Sequence, residues 1–223
     1  TTITYTVTGT DNNSCISSDS ITVTINNLPI GSVSNDTTIC FGDTALLIAS
    51  GGINYIWSPI DSLSSNVISN PLAWPSSTTI YQVIIIDNNS CNDTAQVTVT
   101  VNPLPSVNAG TDIDICFGDT AQLNASGAIN YFWSPSDSLS SSIIPDPLAW
   151  PANLTQYIVT GTDINNCSNT DTILVNVNTL PNVNAGTDTS LCSGDTIQLN
   201  AQGASSYIWS PATFLSNNTI ADP

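Results

Sequence analysis

TTIYQVIIIDNNSCNDTAQVTVTVN, residues 78–102, carries the reading of the whole chain. Two runs rich in β-branched residues flank a polar turn, DNNSCND at 87–93, and that is the signature of a β-hairpin with one cysteine, Cys91, in its loop. The same design returns as QYIVTGTDINNCSNTDTILVNV at 156–177, and an earlier version occupies residues 4–25 around Cys15. The spacing is constant: Cys15, Cys91 and Cys167 share a period of 76 residues, as do Cys40, Cys116 and Cys192.

Other residues keep the same period. Tyr5, Tyr81 and Tyr157 align, as do Trp57, Trp133 and Trp209, and Trp74 aligns with Trp150 in PLAWP. GDT recurs at 42–44, 118–120 and 194–196, and a Leu-Pro pair ending at Pro29, Pro105 and Pro181 marks each joint. The expected organisation is the last two strands of one repeat at 1–28, complete repeats at 29–104 and 105–180, and the first part of another at 181–223. On this reading the chain is a segment of a longer array.

Within a repeat, TALLIAS alternates after the FGD turn, INYIWSP carries a tryptophan, and the two long hairpin strands follow. Some seven short strands in so few residues predict an all-β, immunoglobulin-like sandwich, with Trp57, Trp133 and Trp209 as core tryptophans. Tyr5, Tyr81 and Tyr157 take the core tyrosine-corner position.

Composition narrows the chemistry. The chain has no Lys, Arg or His, and its 17 acidic residues, all aspartates, give a formal charge of −17. No side-chain ion pair can form. A surface of this sign repels nucleic acid and anionic membrane, and no apolar run reaches membrane-spanning length. Catalysis would have to come from Asp, Ser, Thr, Tyr or thiols, and no constellation of these stands out, so no enzyme activity is expected.

The six cysteines do not follow zinc-ligand spacing and point to disulfides in an oxidising compartment. Two pairings respect the period. Cys40 and Cys91 could close one domain, with Cys116 and Cys167 closing the next. Alternatively, Cys40 could reach Cys167 in the following repeat. The first strand is expected to run from the N-terminal pole to the FGD turn beside Cys40, and the last strand separates the hairpin end from that turn by roughly 33 Å at about 3.3 Å per residue, which favours Cys40 with Cys167. Cys15, Cys91, Cys116 and Cys192 are then left to cysteines elsewhere. With two prolines in the NPLP joint at 102–105, the array is expected to be stiff.

VNAGTDIDICFGDTAQLNASGAINYFWSP, PLAWP and the 156–177 hairpin resemble the PKD-like and Ig-like repeats of giant Bacteroidota surface adhesins, the class that includes the type IX secreted gliding-motility adhesin. The resemblance implies a linear array of such sandwiches at the cell surface, outside the cell. The expected role is the shaft of an adhesin or filament, transmitting force and projecting a distal binding region. Its partners would be neighbouring repeats, like filaments or surface polysaccharide. Two alternatives stand beside it: an array of carbohydrate-binding modules gripping sugar through Trp74 and Trp150, and a filament subunit that assembles by strand donation.

Asp-Ser and Asp-Thr pairs resemble the O-glycosylation motif of secreted Bacteroidota proteins, at Ser20, Thr37, Thr44, Ser62, Thr94, Thr120, Ser138, Thr172 and Thr196. Asp11, Asp87 and Asp163 beside Asn-rich turns are candidate calcium ligands, because carboxylate, amide and carbonyl oxygens suit that ion. Turn formation explains the same residues, since Asp and Asn cap their own backbone. Asp43, Asp119 and Asp195 read as tight-turn residues.

Overall fold

The computed structural model describes residues 2–223, among which there are sixteen strands and no helix. The chain divides into two units. One contains the residues up to Ser106 together with Thr162–Asn169, and the other contains Val107–Gly161 with Thr170–Pro223.

The first unit begins with a hairpin, β1 (Thr2–Thr10) paired antiparallel with β2 (Ile16–Thr24). Its complete sandwich follows. One sheet has the order β4 (Thr37–Cys40), β10 (Asn92–Asn102), β9 (Thr79–Ile86), β7 (Asn54–Ser58). The facing layer is built from short pairs, β3 (Ser32–Val33) with β6 (Ala49–Ser50) and β5 (Ala45–Leu46) with β8 (Leu72–Ala73). The plan is repeated by β11 (Ile113–Cys116), β16 (Ser168–Asn178), β15 (Thr155–Thr162) and β13 (Asn130–Ser134) in one sheet. Opposite lie β12 (Ala121–Gln122) and β14 (Leu148–Ala149). These are tandem immunoglobulin-like sandwiches.

The alternation in TALLIAS places Ala45, Leu47 and Ala49 inward against Trp57, Tyr81, Val83, Ile85, Val97 and Val99. Small residues on one layer make room for the indole on the other. The indole N–H of Trp57 donates to the Ile68 carbonyl at 2.8 Å, and Trp133 donates to Ile144 at 3.0 Å, so the buried polar atom of each is satisfied.

Three expectations need correction. The first strand is not continuous: β3 pairs in one layer, whereas β4 has moved to the other and runs parallel to β10. Asp36 marks the crossing, its Oδ1 accepting the Thr98 N–H at 2.8 Å, and Asp112 does the same for Leu174 at 2.9 Å. Second, Tyr5, expected in a core, is 56% exposed. Likewise Trp209 is half-exposed, and residues 181–223 form no strand. Third, the Tyr81 and Tyr157 hydroxyls reach the Asp61 and Asp137 carbonyls, at 3.4 and 3.5 Å. Those acceptors lie twenty positions upstream, beyond the few residues a tyrosine corner spans.

Burial, and after it the charge of Asp61 or Asp137, pushes the Tyr81 and Tyr157 hydroxyls above their ordinary range. The folded state therefore keeps protons that the unfolded chain releases. Stability is full below about pH 10 and is lost as the pH rises from there. Alkaline titration is expected to show two of the six tyrosines ionising together with loss of near-ultraviolet circular dichroism. Ionisation of all six with the fold intact would contradict this.

The two cores solve one packing problem in opposite ways. In the first sandwich a Cβ on Gly31 would sit 2.6 Å from Ile85 Cδ1, and one on Gly52 would sit 2.6 Å from Ile85 Cγ2. One period on, the large residue is the glycine: a Cβ on Gly161 would lie 2.6 Å from Val107 Cγ2 and 2.7 Å from Ala128 Cβ. Gly31, Gly52 and Ile85 thus stand where Val107, Ala128 and Gly161 stand, with volume moved between neighbours. Alone, Gly31→Val is expected to cost about 1–3 kcal/mol by overpacking, and Ile85→Gly about 2–5 kcal/mol. Combined, the two should partly compensate, with coupling of roughly 1–3 kcal/mol in denaturant titrations. Additive losses would show that the pockets are not equivalent.

Candidate functional site: hairpin cysteine and first-turn cysteine

The hairpin tips are built alike. Asp87 Oδ1 accepts the Asn89 and Cys91 N–H groups at 2.8 and 2.9 Å. Asp163 holds Asn165 and Cys167 at 2.8 and 2.9 Å, and Asp11 holds Asn13 and Cys15 at 2.8 Å each. The residue before each cysteine, Ser14, Ser90 or Asn166, is left-handed with φ near 60° (58°, 61° and 61°). One carboxylate oxygen of each aspartate is thereby committed to its turn. The Cys15 N–H, foremost, holds the Asp11 carboxyl below its ordinary range. Among the described residues, no three Cys or Asp side chains gather as a metal site.

The other half is the turn after the first strand. Cys40 lies opposite Asn102 in the parallel register, the Phe41 N–H donates to the Asn102 carbonyl at 2.8 Å, and the Asp43 N–H closes the turn on the Cys40 carbonyl at 3.0 Å. Gly42 has φ +94°, which accounts for glycine between Phe and Asp. Cys116 has the same surroundings: it faces Asn178, Phe117 donates to Asn178 at 2.8 Å, and Asp119 donates to Cys116 at 3.0 Å. Around Cys192, Asp195 donates to the Cys192 carbonyl at 3.1 Å.

The disulfide joins Cys40 to Cys167, with Cα atoms 5.5 Å apart and a sequence separation of 127. Cys167 is fully buried by it, and Asn165 and Asn166 line a small cleft with Thr38, Ile39, Asp43 and Asn102. The Asn169 amide donates to the Pro105 carbonyl at 3.1 Å, which anchors the hairpin near its tip. The alternative Cys40–Cys91 and Cys116–Cys167 pairs do not form: Cys91 and Cys116 are thiols, as are Cys15 and Cys192. β10 explains this, because its Asn92 end pairs with Ile86 near Cys91 while its Asn102 end pairs with Cys40.

Of the Asp-Ser and Asp-Thr positions, Ser20, Thr44, Thr94, Thr120, Thr172 and Thr196 are exposed, whereas Thr37, Ser62 and Ser138 are half-buried. Trp74 and Trp150 stand outside the core at 44% and 46% exposure, their backbone N–H groups bonded to the Ser62 and Ser138 carbonyls at 2.9 Å each. Asp36 and Asp112 were missed by sequence reasoning. Their recurrence one period apart, just before a short strand, was the available signal.

No family model and no curated protein matches the sequence. Among solved structures, the chain is similar to the two immunoglobulin domains of DIP-gamma, at 13% identity over 67% of this chain and 98% of that one, with a TM-score of 0.32. It is similar to the insect immune protein hemolin, at 15% identity over 78% of this chain and 56% of that one, TM-score 0.36. An I-band fragment of titin is similar at 11% identity over 83% and 81%, TM-score 0.37. The chain spans about half the length of hemolin (56%).

Proposed function

We propose that this chain is a length of the shaft of an extracellular adhesin or surface filament, of the kind found in giant Bacteroidota gliding adhesins exported by type IX secretion. The observation that carries the reading is the Cys40–Cys167 disulfide, which connects one 76-residue period to the next and gives tension a covalent route around the intervening fold. Repeats 29–104 and 105–180 are its mechanical units, and such bonds persist in the oxidising medium outside cells. Uniform negative charge supports solubility there, and salt screens its self-repulsion. The reading assigns the chain no chemistry of its own. O-linked sugars on the exposed Thr and Ser positions would sheathe it; calcium remains a secondary proposal, through the carboxylate oxygens not used in the turns. The experiment is to pull the chain by its ends in oxidised and reduced form. A shaft of this design extends less when oxidised, and equal extension would remove the reading.

A second reading rests on a separate observation, the half-exposure of Trp74 and Trp150 at equivalent places. Exposed aromatic faces stack on apolar sugar faces, so each repeat could grip polysaccharide. Retardation during electrophoresis through polysaccharide gels, lost in Trp74→Ala/Trp150→Ala, would favour this reading. Unretarded migration of the unaltered chain favours the shaft.

A further inference from the structure

We propose that Cys15, Cys91, Cys116 and Cys192 are half-sites of further disulfides of the Cys40–Cys167 kind. Each is closed by the complementary half-site of another repeat of this type. Two kinds of half-site exist, and those at Cys15, Cys91 and Cys116 are preformed, whereas Cys192 keeps only the Asp195 turn bond. Cys116 shares with the bonded Cys40 the parallel register to an asparagine, the Phe N–H bond to that asparagine and the Asp N–H bond closing the turn. Cys15 and Cys91 share with the bonded Cys167 the aspartate that accepts two N–H bonds and the left-handed residue before the cysteine. The bonded hairpin cysteine is buried, whereas Cys91 is half-buried and Cys15, Cys116 and Cys192 are exposed. The residues that receive a partner at Cys40 are therefore repeated, open, at Cys116. Ile39, Asp43, Thr44 and Asn102 recur as Ile115, Asp119, Thr120 and Asn178, and Asn165 recurs as Asn89 and Asn13.

The rule of pairing is first-turn cysteine to hairpin cysteine, at a separation of 127 in a continuous array. First-turn cysteines recur every 76 residues, so each bond begins before the previous one ends and the bonds interleave. Only the 25 positions between Cys167 and Cys192 separate the end of one bond from the start of a later one. The mechanical meaning of this ladder rests on the shaft reading; the pairing rule does not. Bond formation needs a disulfide oxidant such as glutathione disulfide. One thiolate attacks it and releases one glutathione thiolate. The second thiolate then attacks the protein sulfur of the mixed disulfide and releases the other, so two thiols are oxidised as one disulfide is reduced.

The test uses the 223-residue chain in a glutathione redox buffer at about 0.15 M ionic strength, concentrated and dilute, with non-reducing peptide mapping. Intramolecular Cys40–Cys167 is expected at both concentrations. In the concentrated sample, bonds of Cys116 or Cys192 to Cys15 or Cys91 should outnumber like-to-like bonds roughly tenfold. Cys116→Ser/Cys192→Ser should abolish the disulfide-linked oligomers. Bonds lost on dilution come from a second copy; in a chain carrying further repeats, those that survive dilution come from the same polypeptide. Like-to-like bonds as frequent as unlike ones, or no interchain bonds beside a formed Cys40–Cys167, would overturn the proposal. Because mapping reads pairing and extension reads load, a failed ladder and a failed shaft give different results.

Discussion

Pulled by its two ends, the oxidised chain is expected to release roughly 420–460 Å less contour length than the reduced chain. Tension travelling along the backbone reaches Cys40, crosses to Cys167 and continues, so the stretch between them bears no load. That stretch has a sequence separation of 127, and an extended residue contributes about 3.3–3.6 Å. The complete sandwich core of residues 45–99 lies wholly inside the bypass. It should not unfold under force until the bond is reduced. Optical-tweezer traces taken before and after addition of a reductant measure the difference, and Cys40→Ser should extend fully in both conditions. An oxidised chain that released the full length would mean that the disulfide is absent in solution, and the load path with it.

Trp57→Ala is expected to unfold the first complete sandwich while leaving the second intact. The indole is fully buried, and truncating such a side chain costs about 3–5 kcal/mol through lost contacts and the cavity that remains. It also leaves the Ile68 carbonyl without its 2.8 Å partner, a further loss of about 1–3 kcal/mol where the group stays dry. At about 0.05–0.15 kcal/mol per residue, a 76-residue repeat holds roughly 4–11 kcal/mol in all. The substitution removes most of that. Amide exchange should therefore accelerate at Val83, Val97 and Val99 and stay slow at Val159 and Val175, with Trp133→Ala giving the reverse pattern. Trp209→Ala should cost far less, because its ring is already half-exposed. Exchange that rose equally in both sandwiches would show that they unfold as one unit.

What the amino-acid order determined by itself was everything that depends on local periodicity. Two-residue alternation around Leu47 and along β9 and β10 exposes which faces turn inward, and the 76-residue recurrence of Trp and Tyr announces the repeated core. The DNNSC turn was readable too, since an aspartate capping its own backbone is a short-range effect. Features that depend on what lies opposite needed the tertiary structure. Nothing local marks the change of layer at Asp36, because its partner, the Thr98 N–H, is 62 positions away. The exchange of Ile85 for Gly161 makes sense only beside Gly31, Gly52, Val107 and Ala128. The disulfide shows the same division: strand length separates the two kinds of cysteine to opposite ends of a repeat, but a bond requires Cα atoms brought to 5.5 Å across 127 residues, and only the folded chain does that.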